Sequence, residues 1–87
     1  MDYLKFDLGT LKSDRVVEVT LTGNAANVRL LDSENFFNYV RGLDFNGMGG
    51  LTTRSPVTFN IPNHGHWYVI IDMEGLKGKP VASVRLR

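Results

Sequence analysis

His64 and His66 flank a single glycine, and on an extended backbone that spacing points both imidazoles to one side, where they could serve as two metal ligands. A third ligand is missing nearby. Asp72 falls on the same strand face as His66 but lies six residues on, ~20 Å of extended chain. The pair therefore reads as a turn residue, His64, and a strand residue, His66, that hydrogen-bonds a neighbouring strand, and no metal site is assigned. A second group combines a strand-end carboxylate, Asp32, a helix-cap amide, Asn35, and a loop guanidinium, Arg54. These could converge on a polar ligand, or they could simply hold one another and anchor a loop.

Other chemistries find less support. Ser13, Ser33, Ser55 and Ser83 lie in no Gly-x-Ser-x-Gly context, and none has an assignable base. The run Gly75-Leu76-Lys77-Gly78-Lys79-Pro80 lacks the Gly-Lys-Ser/Thr ending of a phosphate loop and precedes a strand, so it reads as a turn. Arginines 29, 41, 54, 85 and 87 with Phe36, Phe37, Tyr39 and Phe45 could in principle stack single-stranded nucleic acid. A net charge of +1 is poor for phosphate contacts, however, and the aromatics are needed for packing. The chain has no cysteine, which removes disulfides, thiolate metal sites and a thiol nucleophile together. No catalytic set emerges, so the expectation is a protein without enzymatic activity and without a cofactor.

The elements that must position these residues are short and extended. At 87 residues the chain has the size of one domain, expected to run from end to end over 1–87. The start, Met1-Asp2-Tyr3-Leu4-Lys5-Phe6-Asp7, lacks the pattern of a secretory signal, and no apolar run approaches a membrane span. A cytoplasmic location and no membrane partner are expected. Leu4, Phe6 and Leu8 alternate with Lys5 and Asp7, a half-buried strand that Gly9 should end. Val17, Val19 and Leu21 alternate next, and Val28 and Leu30 after the Gly23-Asn24 turn, which predicts that these two strands form a hairpin. From Ser33 to Arg41 the period lengthens: Asp32 or Ser33 can cap, Phe36 and Val40 are four apart, and Gly42 is a stop. This short helix cannot be stable alone and should lay its aromatic side on the fold, plugging one open end.

Asn46-Gly47-Met48-Gly49-Gly50 reads as a turn-rich loop, after which Val57, Phe59 and Ile61 restore the strand period. On His66–Met73, Trp67, Val69, Ile71 and Met73 share the core face while His66, Tyr68, Ile70 and Asp72 share the other, so this strand is central. Ala82, Val84 and Leu86 form the inward face of a last strand. About seven strands with turns every ~8–12 residues argue for an all-β, two-sheet antiparallel sandwich, jelly-roll-like, with one short helical insert.

Several stretches together resemble one family: Gly23-Asn24-Ala25-Ala26-Asn27-Val28-Arg29-Leu30-Leu31-Asp32, Asn35-Phe36 with Tyr39, Thr53-Arg54-Ser55-Pro56-Val57, Gly65-His66-Trp67 and Ile71-Asp72. These are similar to the small bacterial family named domain of unknown function 1883, and the match spans nearly the whole chain. The resemblance implies a compact β-sandwich, found free or, in similar sequences, joined to a signalling-type TIR domain, and it implies no enzyme activity. The residues and the resemblance together point to a binding or interaction module, sensing or assembling with an effector protein. The alternative is a jelly-roll module for a carbohydrate or other small polar molecule. The expected partner is thus a protein or a small polar ligand, with self-association open, and the candidate contact residues are Asp32, Asn35, Tyr39, Arg54 and His66. Asn35, Tyr39 and Arg54 lie on the long connection from Asn35 to Arg54, where binding groups commonly reside, and the working surface is expected there rather than on the Gly75–Gly78 turn.

Overall fold

In the computed structural model, which describes residues 3–87, alternating apolar residues build seven strands and one helix. Met1 and Asp2, the start of the segment read for a secretory signal, lie outside the described residues. The strands are β1 (Tyr3–Leu11), β2 (Val16–Leu21), β3 (Ala26–Asp32), β4 (Met48–Thr52), β5 (Val57–Asn60), β6 (Gly65–Asp72) and β7 (Ala82–Leu86), and α1 (Ser33–Val40) follows β3 directly. They pair into a four-stranded sheet, β1-β6-β3-β4, and a three-stranded sheet, β5-β2-β7, antiparallel throughout. Among the described residues no helix is long and apolar enough to cross a membrane.

The two-sheet sandwich expected from the period-2 pattern is therefore present, and its core is the facing apolar set. Val17 and Val19 of β2, Val28 and Leu30 of β3, and Val69 and Ile71 of β6 are all fully buried there. Trp67 joins them, its indole N–H donating to the Asn63 carbonyl at 2.9 Å, so the ring is buried without an unpaired donor.

Four local expectations are corrected. Gly9 does not end the first strand. Between Asp7 and Gly9 the register with β6 shifts by one residue, a bulge in which Gly9 takes φ +71° and donates its N–H to Asp7 Oδ1 at 2.9 Å. The strand then continues to Leu11. β2 and β3 do not form a hairpin: β2 pairs with β5 and β7, and β3 pairs with β6 and β4, so Gly23-Asn24 carries the chain from one sheet to the other. Both strands bury one face in the same core, and facing each other from opposite sheets satisfies that alternation as well as a hairpin does. The glycine-rich stretch is a strand, β4, in which Met48 to Thr52 pair with Leu30 to Ala26. At Gly49 (φ +96°) a Cβ would sit 2.2 Å from the Val28 carbonyl and 3.1 Å from the Phe59 ring, so glycine there permits the two sheets to approach.

The fourth correction concerns α1, which lies flat on the outer face of the four-stranded sheet instead of plugging an end. Asp32 caps it, accepting the Asn35 N–H at 2.9 Å. At the other end Gly42 (φ +74°) donates its N–H to the Tyr39 carbonyl at 3.1 Å and Leu43 to the Asn38 carbonyl at 2.9 Å, a Schellman arrangement that stops the helix. The inner side of α1 places Phe36 and Tyr39 over Leu31, Tyr68 and Ile70, forming a second apolar core. Phe36 stacks on Tyr68 with ring centroids 4.2 Å apart, and Tyr39 meets Tyr3 and Phe45 edge-on at 5.4 and 5.3 Å. The bulk on the outer face of β6 is thus covered by the chain's own helix.

Candidate functional site

Two neighbouring clefts open at the end of the sandwich where β3 passes into α1. One, about 270 Å³, is bounded by Asp32, Ser33 and Glu34 on one side and Asn63, His64, His66 and Trp67 on the other. The second, about 260 Å³, shares Asp32 and Trp67 and adds Asn35, Asn46, Met48 and Pro62. The register Asp32↔Trp67 brings these segments together, and the capping geometry aims the Asp32 carboxylate at the start of α1.

Within this end, much of the polar capacity is spent internally. Asp32 Oδ1 accepts both the backbone N–H and the side-chain Nδ2–H of Asn35, each at 2.9 Å. Asn35 Oδ1 in turn accepts the Asn46 N–H at 2.7 Å, which ties down the loop after the helix. His66 pairs with Asp7 across the sheet and stacks on Tyr68 at 4.8 Å. The Gly9 N–H, followed by the hydrogen bond from His66, holds the Asp7 carboxyl below its usual range. Among the described residues no three histidine or carboxylate groups come together to hold a metal ion.

Asp32, Asn35 and His66 are thus brought to one end, while Arg54 and Tyr39 are not. Arg54 follows β4, whose last residue, Thr52, pairs with Ala26 at the opposite end of β3 from Asp32. Six residues of strand separate the two ends, ~20 Å. Arg54 is exposed there and does not converge with Asp32.

Tyr39 is buried under α1, where its hydroxyl belongs to a polar cluster that pattern reading did not assemble. At the centre is Asp72, fully buried, whose carboxylate accepts from Tyr39 Oη (2.6 Å), Asn27 Nδ2 (2.8 Å), the Glu74 N–H (3.2 Å) and Arg29 Nη1 (3.3 Å). Burial alone would raise the Asp72 pKa, but the hydrogen bonds from Tyr39, Asn27 and Glu74 and the Arg29 charge outweigh it and hold the group below the ordinary carboxylate range. Burial, and then the hydrogen bond to the Asp72 carboxylate, push the Tyr39 hydroxyl well above its usual range. The Arg29 guanidinium also lies over the Phe45 ring at 5.6 Å. A signal was available: Asn27 and Arg29 share the face of β3 that adjoins Asp72, and a carboxylate on a strand apolar on both faces requires donors.

On the outward side of α1, Glu34 is exposed together with two apolar side chains, Phe37 and Val40, and Leu43 follows in the loop. Phe37 is 51% exposed, Val40 49% and Leu43 55%. Phe37 and Val40 are three residues apart on one helix face, with the Arg41 guanidinium 6.0 Å from the Phe37 ring.

Sandwich, capped helix and buried carboxylate cluster together define a helix-covered β-sandwich, and the comparisons say which. The family model for the domain of unknown function DUF1883 matches residues 1–87, the whole length, and the chain belongs to that family. No curated protein matches the chain. No solved structure matches it either.

Proposed function

We propose that this chain is a non-enzymatic interaction module that docks a protein partner through the outward face of α1 and the loop behind it. The observation that carries the reading is the trio of about half-exposed side chains made by Phe37 and Val40, on a helix whose opposite side is packed and whose ends are both tied, and by Leu43 just beyond it. Apolar side chains clustered on a rigid element are the usual composition of an interface centre, with Arg41 at the rim. An effector protein acting in the cytoplasm is the partner class in keeping with the family resemblance. Photo-crosslinkers placed at Phe37, Val40 and, as a control, Leu76 test the reading. Adducts are expected from the helix positions, and Phe37→Asp should weaken the purified complex by ~10-fold or more. Adducts confined to Leu76 would overturn it.

A second reading is favoured by one specific observation, the cleft between Asp32 and His66. Carboxylate, amide and imidazole groups around about 270 Å³ are the chemistry of a small polar or carbohydrate ligand. Amide shifts during titration with a glycan panel distinguish the two, since this reading requires shifts at Asp32, Asn63 and His66 and leaves Phe37 and Val40 unmoved.

A further inference from the structure

The two sheets do not match in number, and the mismatch falls at one place. Gly49 of β4 lies against the Phe59 ring of β5, so these two strands face each other at one side of the sandwich. Counting across from there, β2 faces β3 and β7 faces β6, which leaves β1, among the described residues, with no strand opposite it. At that position a groove of about 460 Å³ runs between the two sheets, lined by Phe6 and Leu8 of β1 and by Val84 and Leu86 of β7 and bordered by Lys5 and Asp7. Phe6, Leu8 and Val84 pack on the main core yet are only partly buried, and Leu86 is 38% exposed.

The wall of this groove is a free sheet edge. The Arg87 N–H donates to the Val16 carbonyl and the Thr22 N–H to the Val81 carbonyl, both at 2.9 Å, so the odd-numbered residues of this segment spend their backbone groups on β2. By the antiparallel alternation, Ala82, Val84 and Leu86 direct their N–H and C=O groups outward, along the groove. The solvent face beside that edge is basic. Arg85 and Arg87 share one carboxylate, Glu18, at 3.5 and 3.6 Å, and Arg15 Nε donates to the Arg87 carbonyl at 3.2 Å, so the guanidiniums outnumber the carboxylate they surround.

We infer that the vacant position beside β7 receives an extended strand from a partner polypeptide, one with apolar side chains alternating with acidic ones. Its backbone pairs with Ala82, Val84 and Leu86. Its apolar side chains drop onto Phe6 and Leu8 and close the core, and its acidic side chains lie beside Arg85 and Arg87. A strand spacing of ~4.8 Å from β7 places it over β1, and such strand addition draws affinity from the main chain and selectivity from alternate side chains. A second copy of this chain is disfavoured as occupant, because β7 against β7 would gather four arginines on one face with only two glutamates. The inference does not depend on the α1 surface.

The test is titration of the full chain, at low ionic strength, with capped nine-residue peptides: alternating Val and Glu, alternating Val and Lys, and the Val/Glu peptide with a central proline. Binding of the Val/Glu peptide is expected to be about tenfold tighter than that of the Val/Lys peptide. Proline should abolish it, and amide shifts should centre on Ala82, Val84, Leu86, Phe6 and Leu8. Arg85→Glu, which leaves the groove lining intact, should invert the charge preference. Val84→Arg should block binding, with its amide spectrum checking that the fold persists. Shifts centred on α1 or β4, an unchanged preference in the Arg85→Glu variant, undiminished binding of the proline peptide, or a stable dimer through β7 in sedimentation would each overturn the assignment.

Discussion

Tyr39 Oη donates a 2.6 Å hydrogen bond to Asp72 Oδ2, joining the last turn of α1 to the end of β6. At the other end of the helix Asp32 accepts the Asn35 N–H, and the register sets Asp32 opposite Trp67 and Asn27 opposite Asp72. Two carboxylates on adjacent strands, at opposite ends of the sheet, therefore clamp one eight-residue helix. A helix of this length is unstable alone, so its docking is set by these clamps and by the Phe36 and Tyr39 rings between them.

Removing the clamp at β6 should cost more than an ordinary hydrogen bond, because the carboxylate is left buried. Tyr39→Phe is expected to destabilise the domain by ~1.5–3 kcal/mol and Asp72→Ala by ~3–5 kcal/mol. Combining Tyr39→Phe with Asp72→Asn should fall short of additivity by ~1 kcal/mol or more. Urea denaturation of the four proteins of that cycle, together with the alanine variant, checks all three values. Additive effects would mean that the 2.6 Å contact contributes little.

The same pair defines a pH window. Asp72 titrates lower folded than unfolded, so its contribution is fully present above the unfolded carboxylate pKa of ~3.9 and is lost as pH falls through the depressed folded value. Tyr39 titrates higher folded than unfolded, so its contribution is present below the unfolded phenol pKa of ~10 and is lost as pH rises above it. Melting temperature should be level from about pH 5 to 9 and fall on both sides. Tyr39→Phe should flatten the alkaline limb, and an alkaline limb unchanged by that substitution would contradict the assignment.

Asp32→Ala removes the cap of α1 and the acceptor of the Asn35 side chain. A loss of ~1–2 kcal/mol is expected, with hydrogen exchange accelerated first in Asn35–Phe37 and at the Asn46 amide. Asp32→Asn keeps a capping oxygen and should restore most of it.

Trp67 and Phe59 are each 6% exposed and belong to the main core. Truncating either to alanine should cost ~3–5 kcal/mol, most of the stability of a domain this small. A melting temperature within a degree or two of the parent protein in either variant would place that side chain outside the core.

Which parts of this molecule were legible beforehand follows from how locally each is determined. The faces of β2 and β6, the cap at Asp32 and the stop at Gly42 depend on neighbours a few residues away, and periodicity finds them. Pairing depends on distant segments: Val16–Leu21 presents the same alternation whether its partner is β3 or β5 and β7. β4 escaped notice because Gly49 and Gly50 carry no side chains with which to display a period, while their backbone groups pair with β3 all the same. At the candidate site, Asp32 and Asn35 were recoverable as a cap. Asp72 with Tyr39, Asn27 and Arg29 was not assembled, since its members come from two strands and a helix far apart in sequence. Arg54 was drawn to Asp32 on chemical type alone, and the strand between them carries it away.

The pairing of β1 with β6 also bears on the order in which the chain can fold as it is made. Leu11 pairs with Gly65 and Tyr3 with Asp72, so the first strand has no neighbour in its sheet until most of the polypeptide exists. At ~5–20 residues per second of synthesis, Leu4, Phe6 and Leu8 wait on the order of seconds beside the ribosome with an apolar face uncovered. β3 and α1 can meet early, and β4 soon after, but the sheet is complete only when β6 takes its place between β1 and β3. The four-stranded sheet can therefore close only after Gly65–Asp72 has been made, and until then the apolar face of β1 has no partner strand in its sheet.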